Sequence, residues 1–178
     1  TFTGSGGTAA AGGTAGSGGI ATGWTAGTAN GGAIVTVSKV ARPDGLPGYV
    51  QRLTCTNPGA AGSITFETTT AVTASAGQVW RLRGSWQASS LSLCEGVEVA
   101  VMPQGVGSTS YWLEWGGVRV SGDYLPTGSI PRQCAETPMT ALPTGTTGIK
   151  ARVRVRLDAG GTATVDLYPG EWELVQIS

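Results

Sequence analysis

The 178-residue sequence contains no histidine. That absence excludes Ser-His-Asp and Cys-His catalysis, histidine-ligated zinc and the usual general base near neutral pH. Charge is scarce as well: Asp, Glu, Lys and Arg make up 12% of the chain, and 11 basic residues balance 11 acidic ones. Globular domains usually carry about twice that share, ~25%. With no basic excess, neither nucleic acid nor an anionic membrane surface is an expected partner. No apolar run approaches the ~20 residues of a membrane span, so no membrane insertion is expected. The sequence also lacks GxSxG, GxGxxG and the phosphate-loop pattern. Its three cysteines lack CxxC spacing, which removes thioredoxin-like and zinc-ribbon readings.

What the chain has is glycine, 30 residues of it, with 40% hydrophobic residues and six tryptophans. That is enough apolar surface for one packed domain spanning 1–178. Residues 1–32 are low-complexity, filled by Gly and Ala, and read as an irregular arm with Trp24 as its anchor at the core edge. From 33 to 178 the pattern is β. Short β-branched or alternating runs at 33–40, 49–56, 63–70, 72–74, 78–88, 97–102, 110–120, 149–157, 162–168 and 172–177 are separated by Gly- and Pro-rich turns, and no window sustains helical spacing. The expected fold is all-β, an antiparallel sandwich of jelly-roll type. In 78–88, Trp80, Leu82 and Trp86 share one face. The first residue is Thr1, and the chain is expected to be a piece of a longer parent.

The last hairpin is predicted residue by residue. Ala151, Val153, Val155 and Leu157 face the core, leaving Lys150, Arg152, Arg154 and Arg156 outside. Asp158-Ala159-Gly160 reads as a three-residue loop with Gly160 in the left-handed position. That register sets Val155 opposite Ala163, Val153 opposite Val165, Arg152 opposite Asp166 and Lys150 opposite Tyr168. Cys94 and Cys134 lie in loop-like sequence and are the expected pair if a disulfide forms. Cys55 alternates with Leu53 and reads as a small buried hydrophobe.

The opening TFTG, the ATGW after the Gly-rich stretch, SKVARPDGLPGYVQRL and ITFETTTAVTASAGQVWRLRGSW together resemble a jelly-roll module. The kinship is with carbohydrate-binding modules of the family-four/nine type, as found in phage tail and virion proteins beside SGNH/GDSL-type hydrolase domains. The matching residues are Trp24, Gly48 to Leu53 and Ala76 to Gly84, with Trp80 in the aromatic core position. The resemblance implies a non-catalytic module on a virion surface or another extracellular protein, binding a host-surface polysaccharide. The alternative is a structural or decoration domain that contacts other virion subunits, with homo-oligomer formation open to either. Such modules hold a structural calcium ion with acidic and carbonyl oxygens near the N-terminal strand. This chain has no acid before Asp44, so no metal or other cofactor is expected.

Three constellations carry chemistry. Tyr111 and Trp115 share one face of the strand at 110–120, and Trp112 and Glu114 share the other. One face must be core: either the exposed ring, helped by Tyr124, stacks on a sugar with Glu114, Arg119 and Asp123 at the rim, or both rings are partly buried in the sandwich. The cationic row with Arg152 and Arg154 suits an anionic partner, unless Asp166 and nearby Glu side chains pair with it internally; Arg81 and Arg83 are expected to add to the same sheet. Glu67, Glu95, Glu98, Glu114 and Asp123 are the carboxylates that a glycoside hydrolase would need in pairs. The overall expectation is that the domain is not an enzyme.

Overall fold

The computed structural model describes residues 2–3, 7–9, 20–29, 32–106, 116–119 and 125–178. In chain order the strands are β1 (Phe2–Thr3), β2 (Gly7–Ala9), β3 (Ile20–Ala21), β4 (Trp24–Ala29), β5 (Ile34–Ala41), β6 (Tyr49–Thr56), β7 (Gly62–Thr68) and β8 (Val72–Thr73). They continue with β9 (Val79–Gln104), β10 (Gly116–Arg119), β11 (Gly128–Glu136), β12 (Thr140–Ala141), β13 (Gly148–Leu167) and β14 (Glu173–Gln176), which follows a 3-10 turn at Pro169–Glu171. Every pairing is antiparallel.

Two strands organise the molecule. β9 and β13 pair along nearly their full lengths and pass from one layer of the sandwich into the other. The first layer runs β2-β5-β6, the end of β13, the start of β9, then β11. The second runs β4-β7, the start of β13, the end of β9, then β10. This is the expected all-β antiparallel sandwich. Inward residues of both layers join one core: Leu53, Leu82, Trp86, Leu91 and Val165 from the first, Ile64, Phe66, Val97, Val99, Val153 and Val155 from the second. The Gly/Ala-rich arm is more regular than expected, because β4 forms an edge strand on β7. Backbone pairing holds it there, with Ala26 buried in the core and Trp24 packed against it.

The predicted hairpin at 158–160 does not form. The chain runs on along β9, with Leu157 opposite Cys94 and Thr162 opposite Ser92, and the residues between bulge out. Gly160 does adopt the left-handed conformation (φ 76°), but within this bulge. Asn57 holds the corner: its side-chain amide donates to the carbonyls of Ala60, Leu157 and Asp158. Its backbone N–H donates to Gly161 O, and its own carbonyl accepts from Gly160 N–H. On the other strand, Leu93 turns the same corner with φ 47°. Val155 therefore faces Ile64 and Val97, not Ala163, and Val153 faces Phe66 and Val99, not Val165. Arg152 lies between Glu67 and Ala100, not opposite Asp166, and Lys150 lies opposite Met102, not Tyr168. The face assignment survives, because alternation belongs to the strand whichever neighbour it acquires: Val153 and Val155 are buried.

The expected Cys94–Cys134 disulfide is absent, and all three thiols are free. Both residues lie in strands, not loops. Cys94 is buried in β9, whereas Cys134 is exposed on β11 opposite Ser85. That is nine positions from Cys94 along β9, roughly 30 Å of strand. A disulfide needs Cα atoms within about 7 Å. Cys55 is buried, as its alternation predicts.

Candidate functional site

The outer face of the second layer carries the densest set of oriented polar groups. Alternation along β13 puts Lys150, Arg152, Arg154 and Arg156 there, each position about 6.6 Å from the next. Like charges at that spacing repel, and the two flanking strands supply the answer. From β7, Glu67 Oε2 accepts from Arg152 Nε at 2.7 Å and lies 2.5 Å from its Nη2. From β9, Glu98 Oε2 accepts from Arg154 Nε at 2.6 Å, and Glu95 Oε2 accepts from Arg156 Nε at 2.8 Å. Lys150 Nζ stands 3.7 Å from Glu67 Oε1. The Glu98 side chain is fully buried and Arg154 is 12% exposed. Removing two charges from water costs several kcal/mol each, so such a pair persists only with close, hydrogen-bonded geometry. Asp166, the partner expected from the sequence, is buried in the first layer and paired with Arg52 at 2.7 Å.

Beside this row an open pocket of about 140 Å³ is lined by Gly62, Ser63, Glu95, Arg154 and Arg156, among others. The pocket therefore presents guanidinium donors and carboxylate acceptors already fixed by one another. In each of these three pairs one carboxylate oxygen, Oε2, accepts from the guanidinium. Among the described residues no three carboxylates or thiols gather as metal ligands.

Of the residues singled out from the sequence, Arg152 and Arg154 stand in this row. Arg119 closes β10, its backbone opposite Gly96 of β9. Tyr111, Trp112, Glu114, Trp115, Asp123 and Tyr124 lie outside the described residues. Arg81 and Arg83 do not join the row; they sit in the first layer, paired with Glu136 and Glu173. Glu67, Glu95 and Glu98 were legible only as loose acids. Their role depends on β7 and β9 flanking β13, which no local pattern declares.

Two other clusters are structural. At one end of the sandwich Trp24 stacks on Phe66 (centroids 4.7 Å apart, planes 6° apart) and meets Trp172 edge-on at 6.4 Å. Trp172 lies so close to Gly84 that a Cβ there would come 2.2 Å from the ring. A hollow of about 380 Å³ beside them is walled by Leu82, Ala151, Val72 and Leu174. Trp24 packs one ring face on Phe66 and Trp172 packs against Gly84, and both indoles are half-buried.

On the first layer, Arg42 and Arg132 share Asp44 (2.5 and 3.1 Å) and both bind Glu171. The Tyr168 ring lies 5.0 and 4.4 Å from the two guanidiniums, and its hydroxyl donates to Gln87 Oε1. The hydrogen bond from Arg42 draws the Asp44 carboxyl down to about 2. For Glu171, burial works against the charge, but hydrogen bonds from Ser85 and Arg132 outweigh it and lower its pKa. This neutral, closed network ties the β5–β6 turn to β11 and the 3-10 turn.

No family model and no curated protein sequence matches the chain. Solved structures do. A study of the promiscuous specificity of carbohydrate-binding modules from the β-sandwich superfamily provides one that aligns over 88% of this chain, with TM-score 0.57 and 15% identity. The enzymatically active domain of tailspike protein 4 from bacteriophage CBA120 aligns over 88%, with TM-score 0.53 and 12% identity. The chain spans 58% of the length of the first and 20% of the second. The fold is thus that of the carbohydrate-binding-module sandwich, a likeness of architecture rather than sequence.

Proposed function

We propose that the chain is a non-catalytic carbohydrate-binding module, carried by a virion, tail or other extracellular protein, that recognises a host-surface glycan. The observation that carries this reading is the row of mutually fixed Arg–Glu pairs on one sheet face, opening into a pocket, on a sandwich shared with carbohydrate-binding modules. A sugar hydroxyl both donates and accepts, and an Arg–carboxylate pair offers one of each side by side. Because the pairs already hold their side chains, little ordering cost falls on binding. At about 140 Å³ the pocket is smaller than the ~300–1,000 Å³ of drug-sized ligand sites, a notch that takes part of one sugar unit. Stacking is assigned to the rings at Tyr111, Trp112, Trp115 and Tyr124, with Glu114, Arg119 and Asp123 at the rim; Trp115 directly precedes β10, which pairs beside Glu98. The tailspike likeness supports a virion setting. Family-four/nine kinship and an SGNH-type companion domain belong to the same proposal. Among the described residues no helix is long and apolar enough to cross a membrane.

The test is a glycan array followed by calorimetry on the binders. Arg156→Gln should lower affinity about tenfold, the scale of one charge-assisted hydrogen bond, with the melting temperature nearly unchanged. Absence of any carbohydrate signal, together with a stable oligomer in solution, would favour the structural-domain alternative instead.

A further inference from the structure

The cluster of Trp24, Phe66 and Trp172 closes its end of the sandwich incompletely. Leu82 of the first layer and Ala151 of the second are both buried, and both line the hollow beside the indoles. The gap thus reaches the core between the two sheets, where neither supplies a side chain to fill it. Its volume of about 380 Å³ falls within the ~300–1,000 Å³ of small-molecule sites. Trp24 and Trp172, both half-buried, form one corner of it, with centroids 6.4 Å apart and planes at 72°. A flat ring set in that corner stacks on one indole and meets the other edge-on, the two arrangements that aromatic pairs prefer. An aliphatic group of the same size gains only from the area it buries. Glu173 is the one charged side chain in the lining, and its Oε2 already accepts from Arg83 Nε and Nη2 at 2.9 and 2.6 Å. The hollow therefore suits a neutral occupant. One polar group of its walls is unclaimed: the Trp172 indole nitrogen is buried and, among the described residues, has no hydrogen-bond partner. A buried donor left so costs free energy and ordinarily finds an acceptor.

We infer that this hollow is a binding site for a small neutral aromatic compound of the phenol class. Its ring lies in the corner of Trp24 and Trp172, and its oxygen accepts from the Trp172 indole N–H. Ala151 faces inward from β13, whereas the ion-paired row faces outward, so the two sites lie on opposite sides of that strand. The inference goes beyond the carbohydrate-binding reading and does not depend on it.

The experiment is calorimetry with phenol, toluene and cyclohexanol, which match one another in non-hydrogen atoms, while the indole N–H proton resonance of Trp172 is followed by NMR. Phenol should bind about fivefold more tightly than toluene, the scale of one neutral hydrogen bond. It should exceed cyclohexanol about fivefold as well, the scale of aromatic pairing. It should also shift the Trp172 resonance, which is identified by its loss in Trp172→Phe. Ala151→Leu fills the gap and should weaken phenol roughly tenfold, the scale of overpacking, with the melting temperature unchanged or raised. Should that variant fail to fold, Val72→Phe at the exposed rim narrows the mouth and should give the same loss. Toluene or cyclohexanol binding as tightly as phenol, phenol binding that survives these variants, or failure of all three compounds to bind overturns the inference.

Discussion

Gly84 owes its identity to a neighbour 88 residues away. A Cβ at this position would come within 2.2–2.6 Å of three ring atoms of Trp172, so the indole lies flat on bare backbone. Gly84→Ala should push Trp172 off its seat and cost ~1–3 kcal/mol of stability, read as a lower urea midpoint with altered tryptophan fluorescence; a midpoint matching wild type would show that the ring is loosely held. The cysteines make a second case. Burial pushes the Cys94 thiol up to about 11 and raises Cys55 as well, so thiolate is scarce in both at neutral pH. A thiol reagent should therefore modify exposed Cys134 quickly and leave the other two until the chain unfolds. Rapid labelling of Cys55 or Cys94 in the native state would contradict their burial. Because the folded Cys94 value lies above the ordinary 9.0, its contribution to stability holds below pH 9.0 and fades as pH climbs toward about 11.

At the scale of elements, β13 carries two separable roles on its two faces. Inward, Val155 sits between Ile64 and Val97 at 0% exposure. Val155→Asp places an unpaired charge in the core and should destabilise by several kcal/mol, enough to prevent folding in a marginal domain. Outward, Arg154→Met takes one guanidinium from the fully buried Glu98, and breaking a buried pair costs up to ~3–5 kcal/mol. Changing Arg154 and Glu98 together to Met and Leu should recover most of that loss, since the cost comes from the stranded charge; thermal melts of the single and double variants check this. A double variant no more stable than Arg154→Met would mean that the pair itself, and not the stranded carboxylate, holds the strands.

Across the whole molecule, ion pairs link segments far apart in sequence, and their acid sensitivity follows from the carboxylates. Asp44 is lowered from 3.8 to about 2, chiefly by the hydrogen bond from Arg42, and Glu171 is lowered too. Groups with depressed values add stability above their unfolded pKa and lose it as pH falls through the folded one. The network joining the β5–β6 turn, β11 and the 3-10 turn should thus hold above about pH 4 and weaken progressively toward pH 2. Asp44→Asn should flatten that part of the stability profile, as followed by melting temperature against pH; an unchanged slope would remove the network from the acid response.

The sequence by itself determined the class of the fold, the faces of its strands and much of its core. Period-two alternation is a local property, so Val153 and Val155 could be sent inward and Arg152, Arg154 and Arg156 outward before any partner was known. The burial of Cys55 was legible for the same reason, and the core-edge seat of Trp24 because it is the one tryptophan in a Gly/Ala-rich arm. Only the tertiary structure decided which strands stand side by side. Asp158-Ala159-Gly160 has the composition of a hairpin loop, and Gly160 takes the left-handed conformation that such a loop requires. Yet Asn57, a hundred residues earlier, captures the carbonyls of Leu157 and Asp158 and holds the segment as a corner bulge. With the segment held as a bulge, β13 runs on between β9 and β7, so Arg152 meets Glu67 and not Asp166, and the ion-paired face comes together. Local pattern specifies which side a residue shows; long-range pairing chooses what it meets there.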